Sequence, residues 1–157
     1  MEWIAIRLLR LSIVVLLLVS VLGQLLVPWA AAASVETFPE VEYLVVPYSV
    51  AGILVIACGQ LALLVTWRLL SMIDHGVIFT RRALRLVDVI IVCGAVATIL
   101  NAAVWVHLLA VHGGGPGIIL WLMASTVCGT AFVLLMVVMR GLLEAAIDDR
   151  TELAEVI

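Results

Sequence analysis

Three histidines, three cysteines and one acidic residue inside an apolar run are the side chains here whose types could do chemistry. The chemistry would be metal or haem ligation, thiol redox work and proton transfer. His107 and His112 are five apart, which misses the i, i+4 spacing that puts two ligands on one helix face. His75 lies at the other end of a span, so the three histidines cannot meet on one ion within a monomer and read as interfacial residues. Cys58, Cys93 and Cys128 stand 35 residues apart, each followed by glycine. Successive spans run in opposite directions, so such a repeat would not superpose one on the next. Three is an odd number for a disulfide framework, no Cys-x-x-Cys pair exists, and no nearby charge would stabilise a thiolate. They read as structural. Glu36, Glu40 and Glu42 lack the spaced oxygen ligands of a calcium loop and read as a solvated loop.

Asp88 is the remaining suspect, because ionisable residues within membrane spans are functional by default. It sits one turn inside the end of an apolar run, three residues after Arg85 and near Arg68. That placement predicts an anchoring ion pair with those arginines; a proton or cation site is the rival reading. The sequence therefore assigns no catalytic, cofactor-binding or metal-binding residue, and the expectation is a protein that is not an enzyme.

The elements that carry these residues follow from composition. Hydrophobic residues are 66% of the 157, against about 45–50% in soluble domains. Charged residues are 12%, about half the usual share, so lipid must cover what water cannot. Crossing ~30 Å of hydrocarbon takes about 20 apolar helical residues. Runs at 11–27, 44–67, 86–111 and 117–139 qualify as spans of a single integral membrane domain, and only helix satisfies the backbone in lipid. Pro28, Pro39, Pro47 and Pro116 fall at or between span ends, where a broken helical ladder is tolerated. The run from His112 to Gly117 reads as a tight turn, Gly76 as a helix stop and Thr80 as an N-cap.

All eight basic residues are arginines. Arg7, Arg10, Arg68, Arg81, Arg82, Arg85, Arg140 and Arg150 all agree with one orientation, in which their side is cytoplasmic. Both termini then face the cytoplasm of a bacterial cell. Trp29, Tyr43, Tyr48 and Trp121 form the outer aromatic belt, with Trp3 and Trp67 at the inner boundary. The first span followed by Ala30-Ala31-Ala32-Ala33-Ser34 also resembles a secretory signal, but its apolar run exceeds the usual 7–15 residues or so. An uncleaved helix is expected.

Gln24, Gln60 and Asn101 are amides within spans and are expected to hydrogen-bond between helices, at about 0.6 kcal/mol each and up to ~1.7. Small residues mark packed faces: Gly52, Gly59 and Thr66 on the second span, Gly94, Thr98 and Asn101 on the third, Ser125 and Gly129 on the fourth. Residues 140–157 read as a short cytoplasmic amphipathic helix. Leu142, Leu143, Ala146, Ile147, Leu153 and Ile157 fall to one side, with Glu144, Asp148, Asp149, Glu152 and Glu155 elsewhere. The acidic excess suits a protein partner or a second copy of the chain better than anionic lipid, which prefers basic clusters. No basic stripe for nucleic acid is present.

Met72-Ile-Asp-His-Gly-Val-Ile-Phe-Thr80 leading into Arg81 and Arg82, with the ending Leu142-Leu-Glu-Ala-Ala146 and Thr151-Glu-Leu-Ala-Glu-Val-Ile157, carries a resemblance. Over nearly its whole length the chain resembles the actinobacterial branch of the bacterial family called domain of unknown function 2975. That resemblance implies four spans and brings no activity or cofactor. Some members are thought to be encoded beside small helix-turn-helix regulators, which implies a sensing or anti-regulator role. The expectation is a non-enzymatic membrane protein acting through its cytoplasmic loop and tail. The alternative is a small oligomeric transporter, which usually needs a charge at mid-membrane. An intramembrane thiol oxidoreductase would need the missing cysteine pair.

Overall fold

Each of the four apolar runs is helical. The computed structural model describes residues 2–37, 42–74, 81–111 and 115–155. Within them lie α1 (Glu2–Thr37), α2 (Glu42–Asp74), α3 (Arg81–Ala110) and α4 (Pro116–Glu155). All four are long and apolar enough to cross a membrane. Expectations for Pro39, Glu40, His75, Gly76, Thr80, His112 and Ile157 fall outside the described residues, as do the side chains of Trp3, Glu36, Glu42, Asp149, Arg150, Glu152, Leu153 and Glu155.

The helices outrun their apolar cores. Pro28 does not stop α1, which continues to Thr37. The ring removes only the N–H that would bond the Gln24 carbonyl, and lipid-embedded helices tolerate that loss when neighbours resatisfy the backbone. Pro47 lies in the second turn of α2. Pro116 opens α4, where its missing N–H costs nothing. The expected short tail helix is not a separate element: α4 runs unbroken for 40 residues, about 60 Å at 1.5 Å per residue. After Met139 the sequence has no proline, its one glycine, Gly141, costs about 1 kcal/mol, and good helix formers such as Leu142, Leu143, Glu144, Ala145 and Ala146 follow it.

Burial is inverted relative to a protein in water. Leu18, Leu25 and Trp121 are 66%, 69% and 76% exposed, and no polar residue is buried among the described ones. Apolar surface on this scale, at about 25 cal/mol per Å² in water, requires a hydrocarbon surround. The buried set is thin and concentrates on α3, at Ala83, Val87, Ile90, Cys93 and Leu108.

Among the described residues, close backbone approaches join only consecutive helices, α1 to α2, α2 to α3 and α3 to α4. The array is therefore an open row and not a closed four-helix bundle. Its pairs are antiparallel. Going down α3 from Asn101 through Thr98 and Gly94 to Asp88, the contacts climb α4 from Ser125 through Gly129 and Val133 to Arg140. Likewise Gln24, Ser20 and Arg10 of α1 meet Ile53, Gln60 and Trp67 of α2.

Candidate functional site

Polar side chains at lipid depth must find partners, and each pair of neighbouring helices solves this with its own set. Between α1 and α2, the Gln60 amide spends both N–H groups, donating to Ser20 Oγ at 3.1 Å and to Gln24 Oε1 at 3.0 Å. Gln24 Nε2 in turn donates to the Ile53 carbonyl at 3.4 Å. Gly23 lies nearby on the same face, where an added Cβ would meet only Ile56 Cδ1 at 4.0 Å. The amides thus bond between helices, as their positions predicted.

Between α3 and α4 the clamp is Asn101. Its Nδ2 lies 3.1 Å from the Leu122 carbonyl and 2.8 Å from the hydroxyls of both Ser125 and Thr126. Those hydroxyls donate their own protons to the Leu122 carbonyl, so they can only accept from Asn101. Two amide protons are shared among three acceptors. One turn away the backbones close up. A Cβ on Gly129 would sit 2.5 Å from Thr98 Oγ1, and one on Gly94 would sit 3.2 Å from Val133 Cγ2. The small-residue faces of α3 and α4 are real packing faces. That of α2 is only partly so: Gly59 has nothing within 4 Å of an added Cβ, and the Thr66 hydroxyl bonds the Ala62 carbonyl of its own helix.

Asp88 has a different partner from the expected one. Arg140 Nε donates to Asp88 Oδ1, and Arg140 Nη1 bonds Glu144 Oε2 at 2.7 Å one turn further along α4. Arg85 and Arg68 are exposed and are not the arginines that pair with it. The antiparallel register explains the switch, because it levels the first acid inside α3 with the first charge after the apolar part of α4. Arg140 is 34% and Asp88 45% exposed at the side chain, so the carboxylate keeps access to polar surroundings.

Between α2 and α3 the contact missed by sequence reasoning is Tyr48 with His107. Tyr48 Oη and His107 Nδ1 are 2.8 Å apart, with the rings edge to face at 5.9 Å. The only signal was a tyrosine early in one span and a histidine late in the next. Below this bond lies a half-open cavity of about 240 Å³. Tyr48, Ala51, Gly52 and Val55 line it from α2, Leu100, Asn101 and Val104 from α3, and Leu122 from α4.

The aromatic residues near the helix ends differ in exposure. Trp29, Tyr43 and Trp121 are exposed, and the Arg10 guanidinium lies 5.8 Å from the Trp67 ring. Trp105 is an addition, with an indole N–H buried and unpaired among the described residues. Cys58 is half-buried, Cys93 buried and Cys128 exposed, and none of them forms a disulfide.

No curated protein and no solved structure matches the chain. The family match covers residues 29–157, which takes in the end of α1 and all of α2, α3 and α4. The features that gave the sequence its resemblance, the connection before α3 and the run at the end of α4, fall within that stretch, and the chain belongs to the family described as protein of unknown function (DUF2975).

Proposed function

We propose that this is a non-enzymatic protein of the bacterial cytoplasmic membrane, with both termini cytoplasmic, that senses or regulates through its cytoplasmic face. The working parts are the connection between α2 and α3, flanked by Arg68 on α2 and by Arg81, Arg82 and Arg85 on α3, and the acidic end of α4. One observation carries the reading. The helix that packs against α3 in the membrane is the same unbroken helix that ends in the acidic segment, and Asp88 ties it to α3 on the way out. A change of packing between the helices thus has a direct mechanical route to the tail. The arginine distribution supports the orientation, and four consecutive antiparallel helices return the chain to the side where it began.

Transport fits less well. Gln24, Gln60 and Asn101 all bond across helix pairs, and Asp88 is paired with Arg140 near one end of its helix.

The test is a chain ended after Gly141, which keeps all four apolar runs. It should insert and accumulate normally yet reproduce the transcript profile of a gene deletion. A truncated protein that behaves as wild type would remove the tail from the mechanism and sink this reading.

A further inference from the structure

The Asn101 side chain has one end too many for the helix pair it clamps. The atom 3.1 Å from the Leu122 carbonyl must be Nδ2, because a carbonyl only accepts. That fixes the amide orientation and leaves Oδ1 on the other side, where it accepts no hydrogen bond among the described residues. Asn101 also lines the cavity between α2 and α3. It stands nine residues before Ala110, about 14 Å along the axis from the end of α3. At that depth an unpaired acceptor is costly, since lipid tails offer no donor.

We propose that this cavity is a binding site for a small apolar molecule bearing a single hydroxyl, an alcohol or a phenol, whose O–H donates to Asn101 Oδ1. The cavity measures about 240 Å³, far above the ~10–15 Å³ that one water occupies and just below the ~300–1,000 Å³ of drug-sized pockets. Its walls at Ala51, Val55, Leu100 and Val104 are apolar and suit a hydrocarbon body. No lining residue is charged, so an ammonium or a carboxylate would enter without a counter-charge. An amide ligand would bring a carbonyl needing a donor, and Asn101 Nδ2 is committed to α4. A hydroxyl supplies the one donor that is wanted and asks for little back. The Tyr48–His107 bond joins α2 and α3 across one end of the cavity and holds the two walls at a fixed separation. The site stands whether or not the tail signals.

The probes are 1-naphthol and its near-isostere 1-fluoronaphthalene, which lacks the donor. Each is dialysed against the full-length protein in lipid nanodiscs, with empty discs of the same lipid subtracted. Thermal unfolding is followed in parallel by far-ultraviolet circular dichroism. 1-Naphthol should bind saturably and raise the midpoint, with 1-fluoronaphthalene on the order of tenfold weaker for want of the hydrogen bond. Ala51→Leu should abolish saturable binding by filling the cavity, and the milder Val104→Leu should weaken it, with helical content unchanged in at least the milder variant. Equal binding of the two probes would refute the role of Asn101. Binding that survives a well-folded cavity-filling variant would place the ligand elsewhere, and no saturable binding of either probe would remove the site.

Discussion

At the scale of single residues, the pair Asp88–Arg140 carries a measurable expectation. Both side chains are more than a third exposed or close to it, so the pair belongs with surface ion pairs at about 0–1 kcal/mol. Asp88→Asn should lower the unfolding midpoint in detergent only slightly, and a double-mutant cycle with Arg140→Gln should return a coupling below about 1 kcal/mol. A proton-coupled carboxylate would behave differently: Asp88→Asn would stop activity while the protein still accumulated normally. What the sequence disclosed here was the kind of partner and not its identity. Arg85 is close along the chain, but Arg140 becomes close only through the register of α3 against α4, which no local spacing encodes. His107 shows the same limit. Its place near the end of a helix was legible, whereas its bond to Tyr48 depends on where two helix ends meet. For Cys58, Cys93 and Cys128 the sequence offers an expectation, that thiols without charged neighbours are structural. Replacing all three with alanine should leave assembly intact, at a cost of about 1 kcal/mol arising mainly at buried Cys93, checked by size-exclusion profile and melting midpoint.

At the scale of elements, the α3–α4 contact brings a glycine hard against a side chain, and that glycine is its weak point. An alanine at Gly129 would press its Cβ into Thr98 Oγ1, which is itself hydrogen-bonded to the Gly94 carbonyl at 2.8 Å. Gly129→Ala should therefore cost about 1–3 kcal/mol, the usual range for overpacking. Adding Thr98→Ala should recover most of the loss by removing the obstructing atoms, and a double variant no more stable than Gly129→Ala alone would contradict the geometry. Asn101→Leu should cost less, about 0.6–1.7 kcal/mol, because Ser125 and Thr126 retain their bonds to the Leu122 carbonyl. The existence of all four helices was legible from apolar run length. Their ends were not: Pro28 reads as a stop in water-based statistics, yet in lipid the chain loses more by unwinding exposed backbone than by forgoing one hydrogen bond. The start of α3 shows a related tension. Arg81, Arg82 and Arg85 sit in its first two turns with no acid in the first, against the preference of the helix dipole for negative charge there. The proposed orientation, with this helix end cytoplasmic, would account for their placement, which a helix in water would not favour.

At the scale of the whole molecule, the arginine asymmetry predicts which loops meet the outside. With the native cysteines replaced, Glu36→Cys, Glu42→Cys and Gly114→Cys should react with an impermeant thiol reagent on intact cells. His75→Cys, Arg81→Cys and Arg150→Cys should react only after lysis, and labelling at position 81 in intact cells would reverse the topology. The open row of helices was not legible at all, because the small-residue faces read on the second, third and fourth spans suit a closed bundle equally well. The unbroken α4 has a further consequence, one of leverage. From Arg140 to Glu155 the helix continues for 15 residues, about 22 Å of stiff rod. With Asp88 as the fulcrum, a tilt of about 10° in the membrane would swing the acidic end sideways by about 4 Å. A subtle repacking among lipid-facing side chains would thereby arrive at the tail as a displacement larger than a hydrogen bond, enough to make or break a contact with whatever waits there.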